Sequence, residues 1–295
     1  MPKGKFQRAL REDVFERVRT DHNLVALVQY CRADPSLSIF LRGPRDLDVY
    51  WEESVVFHVT ISSGKLRVGS EHDQPVEDLP TSFDDWDPAR LPEYIAWVKD
   101  LRAARVATKT PELRFEAAVI RDNQAAGSPV MVLDRQIAGP GGKDQLDLML
   151  LDVGSSRLAL AELKVETNKE VGGPVLQQLQ RYVGAFGALT HEYTEVLTQM
   201  QKLGLTANRQ ATIDQLGQPI PIVMLAGLSV KKLGAQKDSS LLHALWTANK
   251  ELLAEDPKWD GRMLVFPRHA EQSFSIPTSL QDLPGIEEWC DRNLS

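Results

Sequence analysis

The pattern of apolar and polar positions divides the chain into an N-terminal part and a longer C-terminal part. Residues 6–31 carry apolar side chains at helical spacing and predict one helix. Between residues 37 and 68, short β-branched and aromatic runs separated by turn residues predict an antiparallel meander of about four strands. The acidic, proline-bearing segment 70–88 is typical of a linker. We therefore predict a small α+β domain over residues 1–80, which would recognise a substrate or a partner.

Residues 81–295 predict a second, larger domain. Helical patterns begin near Pro92 and at Pro111, where proline suits the first turn of a helix. From the second of these, the segments run in the order helix, three strands, two helices, strand, helix and strand. This order predicts an α/β fold, with a mixed β-sheet flanked by helices.

Two matching apolar runs, LDLMLLDV (146–153) and RLALAELKV (157–165), stand on either side of Gly154 and Ser155. Their alanine, leucine, glutamate and lysine residues favour a helix. Each run is nevertheless only about eight residues long, which is short for a helix. A glycine-first pair also suits a two-residue hairpin turn. The pattern favours a β-hairpin over a helix.

The hairpin predicts a contact between two acids. A turn centred between residues 154 and 155 places Asp147 directly opposite Glu162, with Lys164 on the same face of the sheet. Directly opposed carboxylates repel each other. A divalent cation between them would remove this repulsion, and magnesium is bound by one or two carboxylates together with substrate phosphate. The alternative is that the acids are tolerated in water at the end of a sheet.

At these residues the sequence resembles the PD-(D/E)XK nuclease superfamily. Its core pattern is an acid on one strand, a hairpin, and acid-x-lysine on the next strand, which Asp147, Glu162 and Lys164 match. The resemblance covers about residues 110 to 230. Leu146 stands where the family pattern has proline, a position at which the family varies.

Two further features of that superfamily have counterparts in this chain. An acid often comes from the helix before the sheet, and Glu116 fits that position, with Glu112 as the second candidate. The RecB-like branch carries glutamine and tyrosine four residues apart on the following helix. Gln178 and Tyr182 match this pair, and helical geometry puts both on one face.

The resemblance implies a restriction-endonuclease-like core and a Mg²⁺- or Mn²⁺-dependent deoxyribonuclease that hydrolyses phosphodiester bonds. It implies metal binding by two acids of the hairpin, one backbone carbonyl and one acid of the preceding helix: Asp147, Glu162, the Leu163 carbonyl and Glu116. Lys164 would orient water and stabilise developing charge. Gln178 and Tyr182 would position phosphate or the metal ligands.

Charge limits how such a protein could hold nucleic acid. The chain has 41 acidic and 34 basic residues and a net charge of −7, which argues against binding through bulk charge. It leaves room for a local basic cleft. Four basic residues precede Glu116 in the sequence: Arg102, Arg105, Lys109 and Arg114. They are interpreted either as a solvated helix face or as contacts to DNA phosphates.

Composition and the N-terminal sequence predict where in the cell the protein acts. No apolar run approaches the roughly 20 residues that span a bilayer, and the charged N-terminus lacks a signal-peptide core. Cys31 and Cys290 lie far apart without metal-site spacing. We expect a cytoplasmic protein with no membrane partner, acting on DNA in restriction, repair or antiviral defence. It would act with a regulatory protein or as a homo-oligomer. A non-catalytic module on a nuclease-like scaffold and an RNA-cutting enzyme are the alternatives.

Overall fold

The computed structural model describes residues 7–62, 65–69, 82–106, 111–125, 127–138, 145–165, 171–186, 190–228, 236–267 and 273–294. The described helices are α1 (Glu12–Thr20), α2 (His22–Ala33), α3 (Leu91–Val106), α4 (Pro111–Asp122), α5 (Gly173–Phe186), α6 (Thr190–Leu203), α7 (Gln236–Glu255) and α8 (Ile286–Leu294). The described strands are β1 (Leu37–Gly43), β2 (Asp46–Trp51), β3 (Ser54–Ser62), β4 (Lys65–Gly69), β5 (Val130–Ala138), β6 (Gln145–Asp152), β7 (Arg157–Val165), β8 (Ile220–Leu228) and β9 (Arg262–Pro267). No helix of the described part is long and apolar enough to cross a membrane.

The protein is an α/β protein whose chain forms two compact units. The first comprises Met1–Ala117 and Glu192–Gln210, and the second comprises Ala118–His191 and Ala211–Ser295. The division therefore falls within α4 rather than at residue 80. The difference arises because α3 and part of α6 belong with the N-terminal sheet, which a division by sequence pattern alone does not show.

In the first unit, strands β1 to β4 form an antiparallel sheet in sequence order, so the predicted meander is confirmed. The single helix predicted over residues 6–31 is wrong, because the structure has α1 and α2 instead. The break lies at Asp21, whose carboxylate accepts hydrogen bonds from the backbone N–H groups of Asn23 and Leu24. A side-chain cap of this kind starts a new helix.

The end of the predicted linker packs into the first unit. Trp86 is buried, and its ring lies 5.1 Å from that of Phe57 on β3 and 5.2 Å from that of Tyr94 on α3. Such aromatic contacts add to the stability gained by burial. Residues around Trp86 thus join the sheet to α3, whereas residues 70–81 of the predicted linker lie outside the described residues.

In the second unit, strands β5 to β9 form a mixed five-stranded sheet in sequence order. Strands β5, β6 and β7 pair antiparallel, while β8 runs parallel to both β7 and β9. The predicted order of helices and strands is confirmed for α4 to β9, and α8 was not predicted. Residues Leu158 to Lys164 of β7 are all buried, which explains why that strand is an almost continuous apolar run.

The β6–β7 hairpin has the predicted register but a different turn. Asp152 pairs with Arg157 and Leu148 with Ala161, which is the pairing that places Asp147 opposite Glu162 one step further. The connection spans four residues, 153–156, instead of two. Ser156 adopts a φ of 59°, and the Asp152 carboxylate accepts the Ser155 N–H at 3.0 Å. This side-chain hydrogen bond stabilises the longer turn.

Candidate active site

The candidate site lies at the open end of the β6–β7 hairpin. The regular pairing of the two strands ends at Leu148 and Ala161. One residue further, the carboxylate of Asp147 accepts the backbone N–H of Leu163 at 2.7 Å. A side-chain oxygen thus takes the hydrogen bond of a backbone donor on β7. This contact holds Asp147, which is partly exposed, beside the buried part of β7.

Glu162 and Lys164 lie on β7 next to Asp147. Glu162 is completely buried, and Lys164 is 8% exposed. The Lys164 Nζ lies 3.4 Å from the Glu162 Oε2. Burial, followed by the neighbouring charge of Asp147, raises the pKa of Glu162 from 4.5 to about 9, and Lys164 opposes this rise only in part. Burial and a like charge both disfavour an ionised carboxylate, so Glu162 keeps its proton at neutral pH unless a bound cation takes the place of that proton.

Helix α5, which packs on β7 and β8, supplies a third contact to Glu162. The Gln178 Nε2 donates to the Glu162 Oε1 at 2.7 Å and to the backbone carbonyl of Gln145 at 3.1 Å. Gln178 thus links the helix to both strands. Sequence reasoning missed Gln145, because a backbone carbonyl at a strand end leaves no signal in residue type. Tyr182, one turn beyond Gln178, is buried with 1% exposure.

Glu116 is placed differently from the other predicted site residues. It is 2% exposed on α4 and lies on the first unit's side of the division, whereas the hairpin and α5 belong to the second unit. Glu112, the second candidate from the same helix, is partly exposed. The described contacts bring together Asp147, Glu162, Lys164 and Gln178, and the role of Glu116 stays a prediction.

Three of the four predicted phosphate contacts, Arg102, Arg105 and Arg114, belong to the first unit. Arg114 is exposed on α4, and Arg102 and Arg105 lie on α3, where only the backbone is described. Lys109 lies outside the described residues. Their proximity to DNA stays a prediction.

The donor set fits a hard divalent cation. Within the described ranges, no group of three or more His, Cys, Asp or Glu side chains is arranged to hold a metal ion. Asp147 and Glu162 are nevertheless two adjacent carboxylates, and magnesium is commonly held by one or two carboxylates, with water and substrate phosphate completing its shell. A cation between them would favour the ionised form of Glu162, which burial and the charge of Asp147 disfavour.

The chain was compared with protein-family models, with curated proteins and with solved structures, and none of them matches. Neither a family nor a relative therefore supplies a function. The chemistry of the hairpin and α5, together with the motif resemblance, is what points to a function.

Proposed function

We propose that the protein is a metal-dependent nuclease that hydrolyses phosphodiester bonds of DNA, on a restriction-endonuclease-like core. The observation that supports this most directly is the contact of Glu162 with its three partners at one end of the mixed sheet. Asp147 lies close enough to raise its pKa, Lys164 lies 3.4 Å away, and Gln178 donates a hydrogen bond to it. A buried acid with a strongly raised pKa beside a second acid and a lysine is typical of functional sites.

Each residue has a distinct part in the proposed reaction. Asp147 and Glu162 would hold the Mg²⁺ or Mn²⁺ ion, which supplies Lewis-acid chemistry toward the phosphodiester and the attacking water. Lys164 keeps a positive charge close to Glu162, where it would orient water and stabilise the negative charge that develops on phosphate. Gln178 fixes the carboxylate of Glu162, because it is itself anchored on the Gln145 carbonyl.

DNA as the substrate follows from the motif resemblance and not from bulk charge. The net charge of −7 gives the protein no general attraction for a polyanion. A nuclease of this charge needs local cations to hold phosphate, and the exposed Arg114 has the chemistry required. The assignment of DNA is therefore made by analogy with the superfamily.

The test is a cleavage assay with purified full-length protein. Linear, circular and single-stranded DNA are each incubated with magnesium, with manganese, or with EDTA, and an RNA of matched sequence is included. We expect cleavage of DNA that requires the metal and is lost in Lys164→Ala. Cutting of the closed circle would identify an endonuclease, and cutting restricted to linear DNA would identify an exonuclease.

The matched control is Lys258→Ala, which removes an exposed lysine far from the hairpin in sequence. This variant should cut as the wild type does. Cleavage that persists in EDTA or in Lys164→Ala would contradict the proposed site. The absence of cleavage by the wild type with either metal would overturn the enzyme proposal in favour of a non-catalytic scaffold, and cutting of RNA alone would correct the substrate.

A further inference from the structure

The antiparallel sheet of the first unit carries a cluster of four polar side chains. His58 on β3 lies directly opposite Asp48 on β2, and Thr60 lies opposite Asp46 in the same pair of strands. Residues two positions apart on a strand share a face, so the four side chains lie on the same face of the sheet. Cross-strand pairs of this kind stabilise the contact between neighbouring strands.

The carboxylate of Asp48 fixes the state of one ring nitrogen of His58. Asp48 is buried, and its Oδ1 lies 2.6 Å from the His58 Nδ1. Its Oδ2 lies 3.3 Å from the Arg42 Nε and accepts the Tyr50 hydroxyl at 3.4 Å. An ionised carboxylate only accepts hydrogen bonds, so the Nδ1 must carry hydrogen and donate it.

The Thr60 hydroxyl fixes the state of the other ring nitrogen. Its Oγ1 lies 2.7 Å from the Asp46 Oδ1 and 3.1 Å from the His58 Nε2. A hydroxyl has one hydrogen, and the Asp46 carboxylate, which only accepts, is the nearer partner. The hydrogen therefore points to Asp46, and the Nε2 must donate to the Thr60 oxygen. With hydrogen on both nitrogens, His58 is an imidazolium.

The charged groups on the same face favour the imidazolium on balance. The hydrogen bond to Asp48 raises the pKa of His58 from its ordinary value of 6.5, against the effect of burial. The charges of Asp48 and Asp46 add to the rise, and the charge of Arg42 opposes it. The ring is half-exposed, so it exchanges its proton with water.

The other neighbours of β3 bring one further charged residue. On β4, Gly69 pairs with His58 and Arg67 pairs with Thr60. A cation would disfavour the imidazolium, so an effect of Arg67 has the opposite sign to that of the two aspartates. Phe57 lies on the other face of β3, where its ring is 5.1 Å from that of Trp86.

Loss of one proton from His58 changes the contacts of Thr60. A neutral imidazole keeps its single hydrogen on the Nδ1, where the Asp48 carboxylate accepts it, and the Nε2 becomes an acceptor. The Thr60 hydroxyl can then donate to the Nε2 or to Asp46, but not to both. One of these two acceptors loses the Thr60 hydrogen, so the contact between β2 and β3 is weakened.

We propose that Asp46, Asp48, His58 and Thr60 form a pH-sensitive switch between β2 and β3. In its protonated state, His58 holds Asp48 directly and Asp46 through Thr60. In its deprotonated state, the link between His58 and Asp46 is broken. The switch contains no residue of the proposed active site, so the proposal does not depend on nuclease activity.

Nitrogen NMR of the full-length protein, labelled with ¹⁵N in its histidines, tests the protonation state. The two ring nitrogens have similar chemical shifts in an imidazolium and widely separated shifts in a neutral imidazole. The spectrum of His58→Gln identifies the His58 signals among those of the six histidines. We expect imidazolium signals from His58 at pH 6.5, where an ordinary histidine is half neutral, and a titration midpoint above that value.

Two variants separate the contacts of the two ring nitrogens. Asp48→Asn removes the anion beside the Nδ1 and should return the titration midpoint of His58 to 6.5 or below. Thr60→Val keeps the shape of the side chain but removes the link between the Nε2 and Asp46, so the midpoint should fall by less. Thr247→Val, at an exposed position of α7, is the control and should leave the midpoint unchanged.

Urea unfolding tests whether the switch acts on the fold. Because the pKa of His58 is raised, its contribution is complete below 6.5 and is lost as the pH rises through the folded value. The wild type should therefore exceed His58→Gln in stability by more at about pH 6 than at about pH 8.5. Glu162 is present in both proteins, so its own pH dependence cancels in this difference.

Three results would overturn the proposal. One is a wild-type midpoint at or below 6.5. Another is a midpoint that stays at the wild-type value in the folded Thr60→Val protein. The third is a stability difference between wild type and His58→Gln that does not decrease as the pH rises.

Discussion

The two ends of the β6–β7 hairpin each carry an aspartate of β6, and the two carboxylates have opposite surroundings. At the turn end, Asp152 is completely buried and accepts hydrogen bonds from Ser279 Oγ and from three backbone N–H groups, those of Ser155, Leu280 and Gln281. At the open end, Asp147 accepts one backbone N–H and faces Glu162, a second carboxylate.

The difference shows that burial alone does not decide the charge of an acid. Burial opposes ionisation of Asp152, but its four donors outweigh burial and lower its pKa. Burial also opposes ionisation of Glu162, and there the charge of Asp147 adds to burial, so the pKa rises. Donors that point at a carboxylate stabilise its charge, and a like charge destabilises it. The turn end of the hairpin therefore stabilises the fold. At the open end, the proximity of Asp147 to the buried Glu162 disfavours the ionised form of Glu162, and a bound cation would favour it.

The largest expected effect comes from removing the charge at the open end. Asp147→Asn keeps an oxygen for the Leu163 N–H but removes a carboxylate from the proposed metal site. We expect cleavage to fall by about 10²- to 10³-fold, which is the typical cost of losing a group that stabilises transition-state charge. The folded protein should keep about the stability of the wild type, because the oxygen that accepts the Leu163 N–H remains and the protonated Glu162 carries no charge at neutral pH.

Cleavage rates and thermal melting in EDTA measure the two parts of this prediction. Asp100→Asn, which changes an exposed aspartate on α3, is the control and should alter neither. A marked drop in the melting temperature of Asp147→Asn would show that this end of the hairpin is structural after all.

At the turn end, Asp152→Ala should act on stability. The substitution leaves the donors from residues 155 and 279–281 without their acceptor, and we expect the free energy of unfolding to fall by about 3 kcal/mol. Urea unfolding measures this loss. Because the pKa of Asp152 is lowered, its contribution is present above the unfolded value of 3.8 and is lost as the pH falls through the folded value. If the variant were as stable as the wild type at neutral pH, the hydrogen bonds to Asp152 would not stabilise the turn end of the hairpin.

The pH dependence of Glu162 should have the opposite sign. Its pKa is raised in the folded protein, so the folded state keeps a proton that the unfolded state releases near 4.5. Stability without metal is therefore highest below that value and declines as the pH rises toward about 9. The decline is at most about 1.4 kcal/mol for each pH unit.

Urea unfolding in EDTA at several pH values between about 6 and about 8 measures this slope. In the neutral variant Glu162→Gln, stability should depend much less on pH. This variant should be more stable than the wild type at the upper end of the pH range. Glu251→Gln, an exposed position on α7, is the matched control and should keep the wild-type slope. A wild-type stability that increases over this range would contradict the raised pKa.

The smallest expected effect concerns the link from α5. Gln178→Leu removes the hydrogen bonds to Glu162 and to the Gln145 carbonyl, and we expect a loss of about 1 kcal/mol in the free energy of unfolding. Cleavage should fall by about tenfold, because Glu162 loses the group that orients it. Gln177→Leu, at the neighbouring exposed position of α5, serves as the control. An effect on stability without any effect on cleavage would show that Gln178 stabilises the fold and has no part in the proposed active site.

Local sequence patterns were sufficient to predict much of the fold. The β-branched runs predicted the meander, and the glycine-first pair between two apolar runs predicted the register of the β6–β7 hairpin. The same patterns failed at Asp21, where one capping carboxylate divides the predicted helix. They also failed at the turn itself, because the Asp152 side chain stabilises four residues where two were expected. Both errors arise where a single side chain competes with the periodic pattern.

The sequence by itself determined which residues of the hairpin face each other. Side chains alternate along a strand, so the register that pairs Leu148 with Ala161 also brings Asp147 beside Glu162. Only the tertiary structure decided how the two acids behave. Glu162 is buried because α5 covers its strand, and Asp152 is satisfied by residues 279–281, which lie more than a hundred positions away in the chain. The pKa of an acid depends on its solvation and on the donors and charges around it, and those are set by packing between distant segments.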